Sequence, residues 1–460
     1  MIVKDYTERG RGKSTTKIRK KKRWPRSCLP VAYRRMKNKQ PKARNRATPR
    51  PTKTAYTSLR QIVQWIPEGL LDRLAKKVKA DIRTFSCTSH VLALLYGQIA
   101  KAGSLNEICD AARLHEPELN RIRGATAPKR NTFSHANRNR DPQIAEDLYW
   151  AELSHLQKIC PSFTQYKKHS GFIFRVKRDI FAIDSTTLKL SLSCIDWARH
   201  RRKKAAAKTH MRLNIGTMLP AFAVVEDAAH HDSKRADVLC AGLKDGDVLL
   251  ADRAYVDLAF LYDLAQRGVF FVLREKENMV FKVLKRRRHT DPRIIADETV
   301  RLSRKGSDEK YPEALRRITA VVEVDGKDME MTFITNNFEW SPRTVAELYR
   351  ARWAIELFFK ELKQTLQLAD FVGYNENAVK WQVWIGLLAH LLLRFMKHIS
   401  KWGLSFSRLA GIVRSAVWMK IDLLDTLQNY GTAGGPKRPV IVGKQLYFQG
   451  FEPFSSVPVG

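Results

Sequence analysis

The stretch Tyr349 to Lys363, YRARWAIELFFKELK, limits the possible folds of this chain more than any other. Tyr349, Arg352, Glu356 and Lys363 stand at offsets of three, seven and fourteen. At about 100° per residue they fall within an arc of roughly 60°, one face of one helix. Leu348, Ala351, Ile355, Phe358, Phe359, Leu362 and Leu366 occupy a neighbouring, wider arc, the stripe by which an amphipathic helix packs on a core. The polar face carries an aromatic ring, a guanidinium, a carboxylate and an ammonium. A carboxylate between two cations is a poor general base. It is better suited to ligating a metal beside a polyanion, with the cations holding phosphates. The plain alternative is a solvated, salt-bridged surface, since Glu356 and Lys360 form an ordinary helix pair.

Two carboxylates upstream complete such a site. Asp184 closes the short apolar run Phe181 to Ile183 and is followed by the hydroxyl residues Ser185 and Thr186. Asp252 closes the run Val248 to Ala251. Acids at the exits of buried strands collect where α/β sheets place their sites, although a single Asp after a strand is usually a turn or cap residue. Three acids from distant segments can hold two divalent ions roughly 3.5–4 Å apart, the clamp used for in-line phosphoryl displacement.

The pattern Y-x2-R-x3-E-x6-K, downstream of IDSTT and ADRAYVD, resembles the DDE transposases of the insertion sequence 4 family. The resemblance runs from about Leu59 to Ser400 and includes HHDS at His230 to Ser233, FFVLREKEN at Phe270 to Asn278, TNNF at Thr335 to Phe338 and GYNENAVKWQVWIGLLA at Gly373 to Ala389. It implies a ribonuclease H-like catalytic domain over 170–400, with a β-rich insertion at about 275–340. It also implies the function: a transposase that binds the terminal inverted repeats of an insertion sequence, then cleaves the DNA ends and transfers the strands. Asp184, Asp252 and Glu356 would be the catalytic and metal-binding acids, taking two Mg²⁺ or Mn²⁺ ions. Tyr349, Arg352 and Lys363 would hold the terminal phosphates. Double-stranded DNA, both terminal repeats and target, would be the partner, with a homodimer in the DNA complex. The location would be the bacterial cytoplasm, associated with the nucleoid. Relatives with the insertion can cut through a hairpin intermediate, with an aromatic receiving a flipped base. Trp340 is a candidate by position, against the simpler reading of a packing Trp. The rival functions are a catalytically silent, DNA-binding descendant of a transposase and a metal-dependent nuclease without strand transfer.

Composition agrees. The chain has 460 residues and a formal net charge of +37, from 83 Lys and Arg against 46 Asp and Glu, so a polyanion is the expected partner. Cys28, Cys87, Cys109, Cys160, Cys194 and Cys240 form no C-x-x-C pair, which argues against a zinc site or a disulfide framework. The most apolar run, Trp384 to Met396, is interrupted by His390 and Arg394 and reads as a core helix rather than a membrane span.

Residues 1–55 carry twenty Lys or Arg and two acids, a net of +18. This is an arm expected to be disordered when free. It is either a non-specific DNA-binding segment or upstream sequence read through from an early start codon. Residues 56–165 show helical spacing, with a capping box at Ser104 and Glu107. There Lys129, Arg130, Arg138, Asn139 and Arg140 are of the types that contact phosphates and base edges. They belong either to a helical reader of transposon ends or to a basic helical domain packed on the catalytic core. In the α/β part, strands are expected at 180–184, 210–217, 221–226, 247–252 and 269–274, with helices at 234–243 and 257–266. A hairpin is expected about Asp325-Gly326. The cluster Lys285 to His289 is expected to be a DNA-facing loop or a solvated run. Residues 401–460 are expected to form a C-terminal helical segment and tail.

Overall fold

The computed structural model describes residues 51–78, 85–164, 176–190, 205–227, 232–324, 327–366 and 373–430. Residues 1–50 of the basic arm, His230 and His231, the Asp325-Gly326 turn and the tail beyond 430 lie outside the described residues.

The organising element is a nine-stranded sheet among the described residues, in the order β3-β2-β1-β4-β5-β9-β8-β7-β6. Its first half is β1 (Ile180–Leu190), β2 (Ala205–Asn214), β3 (Leu219–Asp227), β4 (Val248–Ala251) and β5 (Phe270–Arg274). Antiparallel β3-β2-β1 is followed by the parallel pairs β1-β4 and β4-β5. β4 is buried at every position and β5 at its centre, as the continuous apolar runs of two-sided strands require. The expected insertion supplies β6 (Phe281–Arg286), β7 (Ile294–Leu302), β8 (Leu315–Val324) and β9 (Lys327–Thr335). It extends the same sheet, because β9 pairs antiparallel with β5. Lys285 and Arg286 therefore lie in the exposed edge strand β6, so the basic cluster is not wholly a loop.

Each face of the sheet has its own core. One face holds Ile180, Ala182, Val248, Leu250 and Val272. It packs under α11 (Pro342–Ala351), α12 (Trp353–Thr365) and α13 (Glu376–Ile399). The other face holds Ile183, Leu249, Ala251 and Phe271, and packs under α8 (Ala236–Cys240) and α9 (Leu258–Gln266). α8 is shorter than expected because Asp232–Arg235 forms a 3-10 turn ahead of it. α9 starts on Asp257, whose carboxylate accepts from the Ala259 and Phe260 amides. It ends before Gly268, in the left-handed region at φ 70°, where a Cβ would collide with the Asp245 carboxylate.

The helices preceding the sheet are α1 (Ser58–Val63), α2 (Leu70–Lys77), α3 (Cys87–Ala100), α4 (Leu105–Leu114), α5 (Glu116–Asn120), α6 (Arg130–Asn139) and α7 (Gln143–Ile159). The capping box is present in a displaced form. Ser104 Oγ accepts from the Glu107 amide at 3.1 Å, while Glu107 Oε2 reaches back to the Gly103 amide at 2.8 Å. These helices share the first core with α13, which is buried along most of its length. The contacts between them include aromatic pairs: His90 with Trp381 at 4.4 Å, Tyr149 with Trp384 at 5.7 Å and Trp65 with Phe395 at 5.0 Å between ring centroids. Phe395 is fully buried, and such a side chain contributes about 1.5–3 kcal/mol relative to an exposed one. After α13 come α14 (Phe406–Ala416) and the single turn α15 (Leu423–Asp425). Against this segment, Thr52 to Thr54 pair by backbone hydrogen bonds to Lys420 and Asp422. Cys87, Cys109, Cys160 and Cys240 are free and buried. Among the described residues no helix is long and apolar enough to cross a membrane.

Candidate active site

The parallel ladder sets the position of the two aspartates. Ile180 pairs with Val248, Phe181 with Leu249 and Ala182 with Leu250; two residues further on, the same offset brings Asp184 level with Asp252. Side chains alternate along a strand, so both acids continue the row of Ile180, Ala182, Val248 and Leu250. That is the face beneath α11 and α12. Asp252 stands just past β4 in extended backbone. Asp184 corrects the expectation of a strand exit. β1 runs on to Leu190 because it stays paired with β2, where Asp184 is opposite Met211. The acid is thus central in β1 but beyond the end of β4. Ser185 contributes its amide, which donates to Asp184 Oδ1 at 2.8 Å.

The third acid arrives on the opposing helices. The stretch that spacing predicts as one helix is broken at Arg352, which ends α11 and starts α12. Bonds of the i to i+3 kind, Arg352 to Tyr349 and Ile355 to Arg352, tighten the junction. α11 begins on Ser341, which caps the Thr344 amide, with Pro342 in the first turn. Leu348, Ile355, Phe358, Phe359, Leu362 and Leu366 are buried as the stripe requires.

Around this junction the polar groups converge. Arg352 Nη2 donates to Glu356 Oε1 at 2.6 Å, and Nη1 lies 3.7 Å from Asp184 Oδ2. The guanidinium also sits 5.5 Å from the centroid of the Tyr349 ring. The Tyr349 hydroxyl donates to Asp252 Oδ1 at 3.1 Å. Arg352 and Tyr349 thus join all three acids into one cluster. Lys363 is on the same side, but its ammonium donates to the Thr187 carbonyl of β1 at 2.9 Å. Sequence reasoning missed that backbone partner, and no local pattern announces it. It also missed Phe333, whose ring lies 4.8 Å from that of Tyr349.

Burial pushes the Tyr349 phenol up to about 12, with Arg352 opposing and Asp252 adding to the rise, so it stays a hydrogen-bond donor at ordinary pH. Burial alone would lower the pKa of Arg352, but Tyr349, Glu356 and Asp184 outweigh it and raise it. On the far side of α12, Glu361 pairs with Arg394 at 2.6 Å and lies 3.4 Å from His390 Nε2. Burial favours protonated Glu361, yet His390 and Arg394 overcome it and hold the carboxyl below its usual range. Glu361 anchors α12 to α13 and takes no part in the acid cluster.

The other candidates behave differently from one another. Lys129, Arg130 and Arg138 are exposed at or on α6, where a phosphate can reach them. Arg140 is engaged inside the fold: its guanidinium donates to the Phe85 and Ser86 carbonyls and lies over the Phe85 ring. Trp340 packs on Phe270 at 5.3 Å, as the simpler reading has it.

The acids offer hard oxygen donors, and the Asp184 and Glu356 side chains are 25% and 33% exposed. That donor set fits Mg²⁺ or Mn²⁺. As they stand, with Arg352 among them, no three His, Cys, Asp or Glu side chains of the described residues form a group arranged to hold an ion.

The transposase DDE domain model matches residues 175–392, a span that includes Asp184, Asp252 and Glu356. A domain of unknown function, DUF4372, matches residues 54–122. A Sinorhizobium fredii protein named as a transposase, y4zB, is 31% identical over 246 residues, covering 52% of this chain and 67% of that one. A Geobacillus stearothermophilus protein named as a transposase for insertion sequence element IS5377 is 29% identical, covering 48% and 58%. A Synechocystis protein named as a transposase for insertion sequence element IS4SA is 25% identical, covering 60% and 73%. The chain belongs to the DDE transposase family.

Proposed function

We propose that this protein is a transposase that binds the terminal inverted repeats of an insertion sequence, cuts the DNA at their ends and joins those ends to target DNA. The observation that carries the reading is the convergence of Asp184 in β1, Asp252 just past β4 and Glu356 in α12 on Arg352 and Tyr349. Asp184, Asp252 and Glu356 would hold two Mg²⁺ or Mn²⁺ ions. Bound there, the ions would supply Lewis-acid activation of the attacking oxygen and neutralise charge at the leaving one.

The chain's own groups do the rest. Tyr349 orients Asp252 through its hydroxyl. Arg352 Nε is buried without a hydrogen-bond partner and supplies a donor for a phosphate oxygen. Lys363, near the Thr187 end of β1, adds positive charge beside the same phosphates. Lys129, Arg130 and Arg138 on the helical layer hold the DNA backbone further from the cut, and the basic arm adds non-specific affinity. Pairing two DNA ends calls for a homodimer in the working complex, in the nucleoid of a bacterial cytoplasm.

The test is an end-cleavage assay on duplexes carrying the flanking inverted repeats, with Mg²⁺ or Mn²⁺. Cleavage at the repeat end that vanishes in Asp184→Ala is the expected result. Specific binding without cleavage in either metal would replace this reading with the silent DNA-binding one. Cleavage without joining to target would leave a nuclease.

A further inference from the structure

We propose that Arg352 is the internal counter-ion of Asp184 and Glu356 when no DNA is bound, and that a backbone phosphate drawing its guanidinium away opens those acids to a divalent cation. Metal loading then follows DNA loading. The inference rests on the proposed function's reading of the three acids as the metal-binding set.

Four observations point this way. The guanidinium bridges acids from different elements: 2.6 Å to Glu356 on its own helix and 3.7 Å to Asp184 on β1. An ordinary i, i+4 surface pair explains the first contact and not the second. The Arg352 side chain is 12% exposed, less than either acid. Its third nitrogen, Nε, is buried without a partner. That leaves a donor beside Nη1 and Nη2, in the fork geometry that suits a phosphate. Arg352 also sits at the break between α11 and α12, where small backbone changes re-aim a side chain.

A guanidinium and a divalent cation compete for the same carboxylate oxygens. A ligand that binds Arg352 must therefore raise metal affinity, and metal must raise affinity for that ligand in equal measure.

Mn²⁺ binding to the full-length protein, read by electron paramagnetic resonance of the free ion, tests this with a readout that is not activity. Without DNA, Arg352→Gln is expected to bind Mn²⁺ at least tenfold more tightly than wild type, and Arg352→Lys, which keeps a cation, to stay near wild type. A duplex bearing the terminal repeat, measured against the same duplex alone, should tighten Mn²⁺ binding to wild type but not to Arg352→Gln. Unchanged or weaker Mn²⁺ binding by a folded Arg352→Gln overturns the proposal. So does DNA that tightens both proteins equally. Should Arg352→Gln not fold, the wild-type response decides: no tightening by DNA overturns the proposal. Mn²⁺ binding lost in Asp184→Asn yet indifferent to Arg352 sinks the counter-ion and leaves the acid set intact. Binding indifferent to Asp184 sinks the acid set and the proposal with it.

Discussion

Arg316 and Arg352 each hold carboxylates, in opposite ways. Arg316 and Asp297 are both about 2% exposed and bond in parallel, Nε to Oδ1 at 2.8 Å and Nη2 to Oδ2 at 2.7 Å. Nη1 of Arg316 is bonded too, to the Trp340 carbonyl. That pair ties β7 and β8 to the chain entering α11, and every nitrogen of the guanidinium is bonded. Arg352 instead divides itself between two partly exposed acids and keeps its Nε without a hydrogen-bond partner. A saturated pair out of water serves as scaffold. An incompletely satisfied one at the edge of water can exchange partners, and only that kind suits a site that must take up a substrate.

The largest expected effect lies on the exchangeable side. Asp184→Ala, Asp252→Ala or Glu356→Ala should each lower end cleavage by at least about 10³-fold, with little change in the unfolding midpoint. A loss of stability as large as the loss of activity would break the contrast. On the saturated side, Asp297→Ala strands a buried guanidinium and should cost about 3–5 kcal/mol in chemical denaturation. Near-normal stability there would show that Arg316 is not scaffold.

Glu152 extends the comparison to an acid with no bonded cation. It is fully buried, neither oxygen has a hydrogen-bond partner, and burial pushes its carboxyl from 4.5 to about 8, with Arg123 opposing. The folded state therefore keeps a proton that the unfolded chain releases above about 4.5. This contribution to stability is full below that pH and is lost as pH rises through about 8. Glu152→Gln should be more stable than wild type at pH 8, by on the order of 3 kcal/mol, with the difference vanishing near pH 4. A pH-independent difference would exclude the titration.

Smaller effects sharpen the two kinds of basic residue on the helical layer. Arg140→Ala should destabilise by about 1 kcal/mol through the Phe85 and Ser86 carbonyls. Arg138→Ala, exposed, should leave stability within about 0.5 kcal/mol. It should lower the salt dependence of DNA binding by about one unit of slope.

What was legible in the sequence follows from how local each cause is. The apolar run of β4 and the helix expected at 257–266 are written in adjacent residues, and both elements appear close to where those signals put them. The four-residue face was legible from helical spacing, and two of its members, Tyr349 and Arg352, meet the two aspartates. The break at Arg352 was not, since no Gly or Pro marks it. β6 was hidden because FKVLKR alternates too little to look like a strand, and it pairs only at a sheet edge. The occupation of Arg140 by distant carbonyls has no sequence signal, as both partners lie more than fifty residues away.

The level placement of Asp184 and Asp252 also bears on how such a chain can grow. Their spacing is a property of two neighbouring strands and does not depend on the length of chain between them and Glu356. About a hundred residues separate Asp252 from Glu356, yet β9 docks on β5 and returns the chain to the sheet that carries both aspartates. Whole hairpins can thus be gained or shed at the outer margin while the acids keep their positions. A one-residue deletion inside β1 or β4, by contrast, would turn one aspartate to the wrong side of the sheet. Lineages carrying this architecture should accordingly vary in length at that margin and almost never within those two strands.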